Sequence, residues 1–124
     1  MTDTYALAGK TAIVTGGGKG LGKTLARFLL EAGMNVAICG RTETAVKQTV
    51  EQFDALFPGN VIGQVCDVSK SADVASFVRK VKDTFGELHV LINNSGFGKE
   101  TLIWETSEED WDEVMDTNVK GTFL

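Results

Sequence analysis

Short β-branched runs alternate along the chain with stretches whose apolar residues recur every three or four positions. Thr11–Thr15 (TAIVT) reads as a buried strand. Leu21, Leu25, Phe28 and Leu29 then follow at helical spacing, and Gly33 closes that helix. Asn35–Cys39 (NVAIC) is the second strand. Val46, Val50 and Phe53 mark a second helix that breaks at Pro58-Gly59-Asn60. Val61–Cys66 is the third strand. Val74, Phe77, Val78, Val81 and Phe85 stripe a third helix, which Gly86 ends. Leu88–Asn93 is the fourth strand. Ser107 opens a last helix, with Asp110 at the place of a capping-box acid and Trp111, Met115 and Val119 on one face.

Strands that alternate with helices, and are apolar on both faces, build a parallel sheet covered on its two sides. Right-handed crossovers give the doubly wound α/β order 3-2-1-4. The pattern has no repeat, linker or low-complexity tract, so residues 1–124 are read as a single domain.

Composition narrows the chemistry. With 43% hydrophobic and 23% charged residues the chain can bury a core. The net charge of -5 argues against a nucleic-acid partner, which would want a basic face. Any phosphate must be held locally, by backbone N–H groups and a few placed cations. No run approaches the ~20 apolar residues that span a bilayer. Met1–Gly9 lacks the basic start and apolar run of a secretory leader. A cytoplasmic location, with no membrane partner, is therefore expected. Cys39 and Cys66 are too few for a disulfide framework or a metal cluster. They are expected as buried thiols ending neighbouring strands, where a bridge between them stays an open alternative. No His/Cys/Asp/Glu group has metal-ligand spacing.

The most informative segment lies between the first strand and the first helix: Thr15, then Gly16, Gly17, Gly18, Lys19, Gly20, Leu21 and Gly22. Glycines there let the backbone turn tightly and bring N–H groups to a diphosphate, beside the positive end of a helix dipole. The spacing G-x-x-x-G-x-G is neither the generic dinucleotide fingerprint nor a P-loop. The plain alternative is a turn that only lets helix and strand pack closely.

The turn resembles the T-G-x-x-x-G-x-G signature of the short-chain dehydrogenase/reductase family. Asn93-Asn94-Ser95-Gly96 resembles that family's N-N-A-G motif, with Ser95 where alanine is usual. Asp67-Val68 resembles its adenine-binding pair. Asn118, in Thr117-Asn118-Val119-Lys120-Gly121, resembles its helical catalytic asparagine. All four agree in order and spacing, over nearly the whole chain. The resemblance implies a Rossmann-type fold and a nicotinamide dinucleotide held by Gly16, Gly17, Gly18, Lys19, Gly20, Leu21, Gly22, Arg41, Asp67, Val68, Asn94, Ser95 and Gly96. It implies hydride exchange with a small carbonyl or alcohol substrate, and homo-oligomer formation in the intact protein.

In this fold an acid at the end of the second strand binds the ribose hydroxyls of NAD and would repel a 2′-phosphate. Gly40 stands there, and Arg41 follows. With Lys19 it places two cations beside a 2′-phosphate, so NADP(H) is expected over NAD(H). Two solvated surface cations are the plain alternative. Asp67 and Asn94 also have structural readings, as a turn residue and as a tie between strands. His89, the one histidine, precedes a buried strand and needs no catalytic role. Trp104 and Trp111 are read as packing or interface residues.

The family protonates its product with a tyrosine in Tyr-x-x-x-Lys, preceded by a serine. The one tyrosine here is Tyr5, and Gly9 stands four residues on. The chain is therefore read as the cofactor-holding part of such an enzyme, incomplete at its C-terminus and inactive alone. The competing reading is a non-catalytic dinucleotide-binding or dimerisation module.

Overall fold

The computed structural model describes residues 4–124, so the start of the Met1–Gly9 stretch lies outside the described residues. Strands β1 (Thr11–Thr15), β2 (Asn35–Gly40), β3 (Val61–Val65) and β4 (Val90–Ile92) form one sheet. Between them run α1 (Gly20–Glu31), α2 (Glu43–Leu56) and α3 (Ser71–Phe85). All pairings are parallel, in the expected order β3-β2-β1-β4. After β4 come a 3-10 turn at Ile103–Glu105 and α4 (Glu108–Met115). A π turn, Asp116–Lys120, and one further turn, α5 (Gly121–Phe123), follow.

Side chains on a strand alternate between faces, and the core divides accordingly. Ala12, Val14, Val36 and Ile38 pack with Ala26, Leu30, Val46 and Phe53 under α1 and α2. Ile13, Ala37 and Cys39 pack with Cys66, Val68, Phe77 and Val81 under α3. β4 is shorter than the Leu88–Asn93 span expected from its apolar run. His89 explains one end: its Nδ1 accepts from Thr11 N at 3.0 Å, while its own N–H donates to Thr11 O.

Two helices present a different face from the one their largest apolar residues suggest. In α1 the buried residues are Gly22, Ala26 and Leu30, whereas Leu21 and Phe28 are 67% and 63% exposed. Small residues face the sheet because the helix approaches the glycine turn closely. In α4 and its continuation Trp111, Met115 and Val119 are exposed, and Thr117 and Gly121 are buried. A Cβ on Gly121 would lie 2.6 Å from Val68 Cγ2, so any larger residue would have to displace the buried Val68 side chain. The π turn adds a residue to the helical register after Met115, so of the three stripe residues only Val119 is shifted by it, while Trp111 and Met115 are exposed on α4 itself. Trp104 is 77% exposed, so neither tryptophan packs in the core.

The Ser107 cap forms as expected: its Oγ accepts from Asp110 N at 3.1 Å. Ser107→Ala should destabilise the protein by about 1 kcal/mol in urea denaturation. An unchanged midpoint would mean that α4 is held without its cap.

Candidate dinucleotide-binding site

The C-terminal ends of β1, β2 and β4 open onto a cleft of about 420 Å³. Its position follows from the strand order, because β1 is flanked by connections that leave in opposite directions. The cleft is walled by Gly16, Gly18, Lys19 and Gly20 from the glycine turn, and by Gly40, Arg41 and Thr42 after β2. Cys66, Asp67 and Val68 line it after β3, and Asn94, Ser95, Gly96 and Phe97 after β4.

The glycine turn is held from three sides. Gly17 N donates to Cys39 O at 3.2 Å. Thr49 Oγ1, buried on α2, donates to Gly18 O at 2.8 Å. Asn94 Nδ2 donates to Thr15 O at 3.1 Å and to Gly16 O at 3.3 Å. Thr15 Oγ1 in turn accepts from Asn94 N and Ser95 N, both at 2.9 Å. The tie between strands expected as one reading of Asn94 is thus present, and Asn94 also reaches the cleft wall. Thr15 welds the two loops together. A threonine closing a buried strand just before a glycine run was the signal for it.

Glycine is required here for specific reasons. Gly16 has φ +65, and Gly20 has φ +56, both in the left-handed region. A Cβ on Gly17 would lie 2.6 Å from Ile38 Cγ2, and one on Gly22 would collide with the Gly16 carbonyl oxygen. Gly17 and Gly22 stand behind the cleft wall, where they let strand, turn and helix meet. The Leu21 side chain is exposed and is not part of that wall. What Leu21 and Gly22 offer is backbone: first-turn N–H groups have no partner within their own helix. α1, which like α2 and α3 has no side-chain cap, carries no acid in its first turn, whereas α2, α3 and α4 each have one there. The start of α1 is left open to an external anion.

Asp67 Oδ1 accepts from Ser69 N at 3.0 Å and from Ser69 Oγ at 2.6 Å, forming an Asx turn into α3. Burial acts to raise its pKa. The Ser69 hydrogen bonds, with the Lys70 and Arg41 charges, outweigh burial and hold it below the ordinary 3.8. A lowered carboxylate stabilises the fold above its unfolded-state pKa, and that stabilisation is lost as pH falls through the lower folded value. Wild type should therefore exceed Asp67→Asn in stability at neutral pH, and the difference should shrink below pH about 4. A difference independent of pH in acid melts would contradict this. The Cys39 and Cys66 thiols are free and buried. Their mutual hydrogen bond and burial push the Cys39 thiol well above its ordinary pKa.

Arg41 lies at the cleft mouth, its Cζ 4.9 Å from the Phe97 ring centroid and its Nη1 3.8 Å from Glu113 Oε1. Lys19 lines the same cleft. Neither Phe97 nor Glu113 carries a functional signal in the sequence, since only the return of the chain after β4 brings them to Arg41. Asn118 is not part of the cleft wall, although its neighbour Thr117 is. Asn118 Nδ2 donates to Phe97 O at 2.7 Å and to Val114 O at 2.8 Å. A π turn releases an i−4 carbonyl, and the amide takes it up. A Cβ on Gly96 would collide with Asn118 Oδ1, so Gly96 admits the asparagine as well as lining the cleft. Among the described residues no three His/Cys/Asp/Glu side chains are grouped to hold a metal. No described helix is long and apolar enough to cross a membrane.

A family model described as short chain dehydrogenase matches residues 10–124. An uncharacterised oxidoreductase of Thermotoga maritima is 42% identical over 116 residues, covering 94% of this chain and 45% of that protein. Glucose 1-dehydrogenase 2 of Bacillus subtilis is 39% identical over 119 residues, covering 95% and 46%. The crystal structure of a short chain dehydrogenase/reductase from Burkholderia phymatum in complex with NAD superposes with a TM-score of 0.92. It is 34% identical, over 97% of this chain and 42% of that one. The chain thus spans about half the length of the curated relatives it matches.

Proposed function

The chain belongs to the short-chain dehydrogenase family, and from that premise we propose that it is the cofactor-holding part of an NADP(H)-dependent oxidoreductase. The observation that carries this reading is the pairing of an open α1 start with two cations, Lys19 and Arg41, on one cleft. The residues present fit a dinucleotide. A Cβ on Gly16 would press on Asn94 Nδ2 at 2.9 Å, and one on Gly18 on the Ala45–Val46 backbone at 3.3 Å, so glycine keeps the turn packed tightly at the cleft wall. First-turn amides of α1 would hold the diphosphate, and Asp67 and Val68 would meet the adenine. Asn94, Ser95 and Gly96 would flank the ribose.

NADP(H) is favoured because Gly40 puts no carboxylate at the end of β2, while Arg41 supplies a planar cation. The NAD in the Burkholderia neighbour belongs to that protein, and this choice rests on Gly40 and on the two cations Arg41 and Lys19. When bound, the cofactor supplies a hydride to, or accepts one from, a small carbonyl or alcohol. Asn118 is the one residue assigned to the catalytic machinery, as the helical asparagine that by family resemblance anchors a water of the proton relay; its Nδ2 donates to Phe97 O. Tyr5 is 80% exposed and precedes β1, so it is no proton donor to the cleft. The 124 residues alone are therefore proposed to be inactive. A cytoplasmic location and homo-oligomer formation by the intact protein complete the reading.

The test is to express the protein with the coding sequence that follows codon 124 and to follow NADPH absorbance over a panel of aldehydes and ketones. Turnover, with a serine and Tyr-x-x-x-Lys downstream, is the expected result. Tight NADPH binding without turnover on any carbonyl would favour a binding module. Failure to bind either nicotinamide cofactor would sink the reading altogether.

A further inference from the structure

Arg41 is held at the cleft mouth by residues far away in sequence. The Phe97 ring lies 4.9 Å from its Cζ, close enough for a cation–π contact. Glu113, on α4, places Oε1 3.8 Å from Nη1. The other carboxylate oxygen, Oε2, accepts from Lys99 Nζ, which also donates to Asp110. Four charges of alternating sign thus run from the end of β2 to α4: Arg41, Glu113, Lys99 and Asp110. Asp110 and then Glu113 raise the Lys99 pKa, as expected for a cation shared between two acids.

We propose that Glu113 is a positioning residue that occupies the Arg41 guanidinium and yields it to a 2′-phosphorylated nucleotide, so that it sets the affinity for the phosphate. The inference rests on the reading of Arg41 as a 2′-phosphate ligand. The ion pair is suited to exchange. Both side chains are about half exposed, at 49% and 48%, and a long exposed pair is weak. A phosphate dianion offers more charge and bidentate geometry to the same planar fork. The exchange does not strand the carboxylate, because Lys99 already holds its second oxygen. Phe97 offers the guanidinium a cation–π contact that takes up none of its N–H donors in a conventional hydrogen bond, so it can hold Arg41 at the mouth during the exchange.

The probes are 2′,5′-ADP, which carries the extra phosphate, and 5′-ADP, which does not. Calorimetric titration would compare wild type, Glu113→Gln, Arg41→Ala and the double variant. Glu113→Gln is expected to tighten 2′,5′-ADP by about threefold, the scale of an exposed ion pair, and to leave 5′-ADP unchanged. Arg41→Ala is expected to weaken 2′,5′-ADP by about tenfold or more, and the Glu113→Gln gain should vanish in its background. A gain of equal size without Arg41 would overturn the proposal, because the glutamate would then act only through its field. Weakening by Arg41→Ala with no effect of Glu113→Gln would overturn this inference and leave the NADP(H) reading standing. If Arg41→Ala affected the two probes equally, the reading of Arg41 itself would fall, and this inference with it.

Discussion

Gly22→Ala is expected to abolish dinucleotide binding and to destabilise the protein by about 3 kcal/mol, the upper end for overpacking. The added Cβ would collide with the Gly16 carbonyl oxygen, 2.8 Å from its carbon and 2.5 Å from Asn94 Nδ2. Two of these atoms are backbone and cannot swing aside. The third is the amide that pins Gly16 and Thr15. Relief requires α1 to move away from β1, and that movement would carry the first-turn amides from the cleft. Helix propensity works in the other direction, since alanine in a helix is favoured over glycine by about 1 kcal/mol. A gain in melting temperature would therefore mean that the turn has slack. The comparison is Gly20→Ala, where no atom lies within 4 Å of the added Cβ and only the φ of +56 opposes it. That variant should cost about 1–2 kcal/mol and retain measurable binding. NADPH fluorescence titration and urea denaturation of both variants would separate collision from strain. Wild-type affinity in Gly22→Ala would refute the assignment of the turn as a rigid cradle.

What was legible in the sequence follows from how local each signal is. β1 and β2 are short, continuously apolar and bounded by turn residues, and the order β3-β2-β1-β4 follows from crossover handedness. The glycine turn was legible because its function is backbone geometry, which spacing records directly. The face of α1 was legible only in part: Leu29 packs on the core, but Leu21 and Phe28 do not. Apolar periodicity favours the large residues Leu21 and Phe28, whereas the contact with the sheet selects small ones, Gly22 and Ala26. The last helix misled for a related reason. The buried residues of its end are the small or polar Gly121 and Thr117, and a π turn at Asp116–Lys120 changes the period between Met115 and Val119. The Phe97–Arg41–Glu113 contact left no local trace at all. It joins segments separated by more than fifty residues, and each side chain alone reads as an ordinary surface residue.

Arg41→Ala should weaken NADPH by about 10- to 100-fold, the range for hydrogen bonds to a charged group, which is about 1.5–3 kcal/mol. NADH should change by less than about twofold, the scale of a surface substitution. The two cofactors differ only in the 2′-phosphate, so the ratio of their affinities isolates that contact from any general damage to the cleft. Lys19→Ala should act in the same direction but more weakly. Lysine is a hydrated point charge, whereas the guanidinium meets a phosphate in a bidentate fork. Raising the ionic strength should compress both differences, because Lys19 and Arg41 are exposed. The absence of an acid at 40 gives a converse test. A Cβ there would lie 3.3 Å from the Val46 Cγ2 methyl, the end of a side chain that can shift. Gly40→Asp combined with Arg41→Ala would place a carboxylate where ribose hydroxyls are bound in this fold and repel the 2′-phosphate. Preference should then pass to NADH. Equal losses for NADPH and NADH in Arg41→Ala would mean that the guanidinium holds the cleft open and does not read the phosphate, and the case for NADP(H) would rest on Lys19 alone.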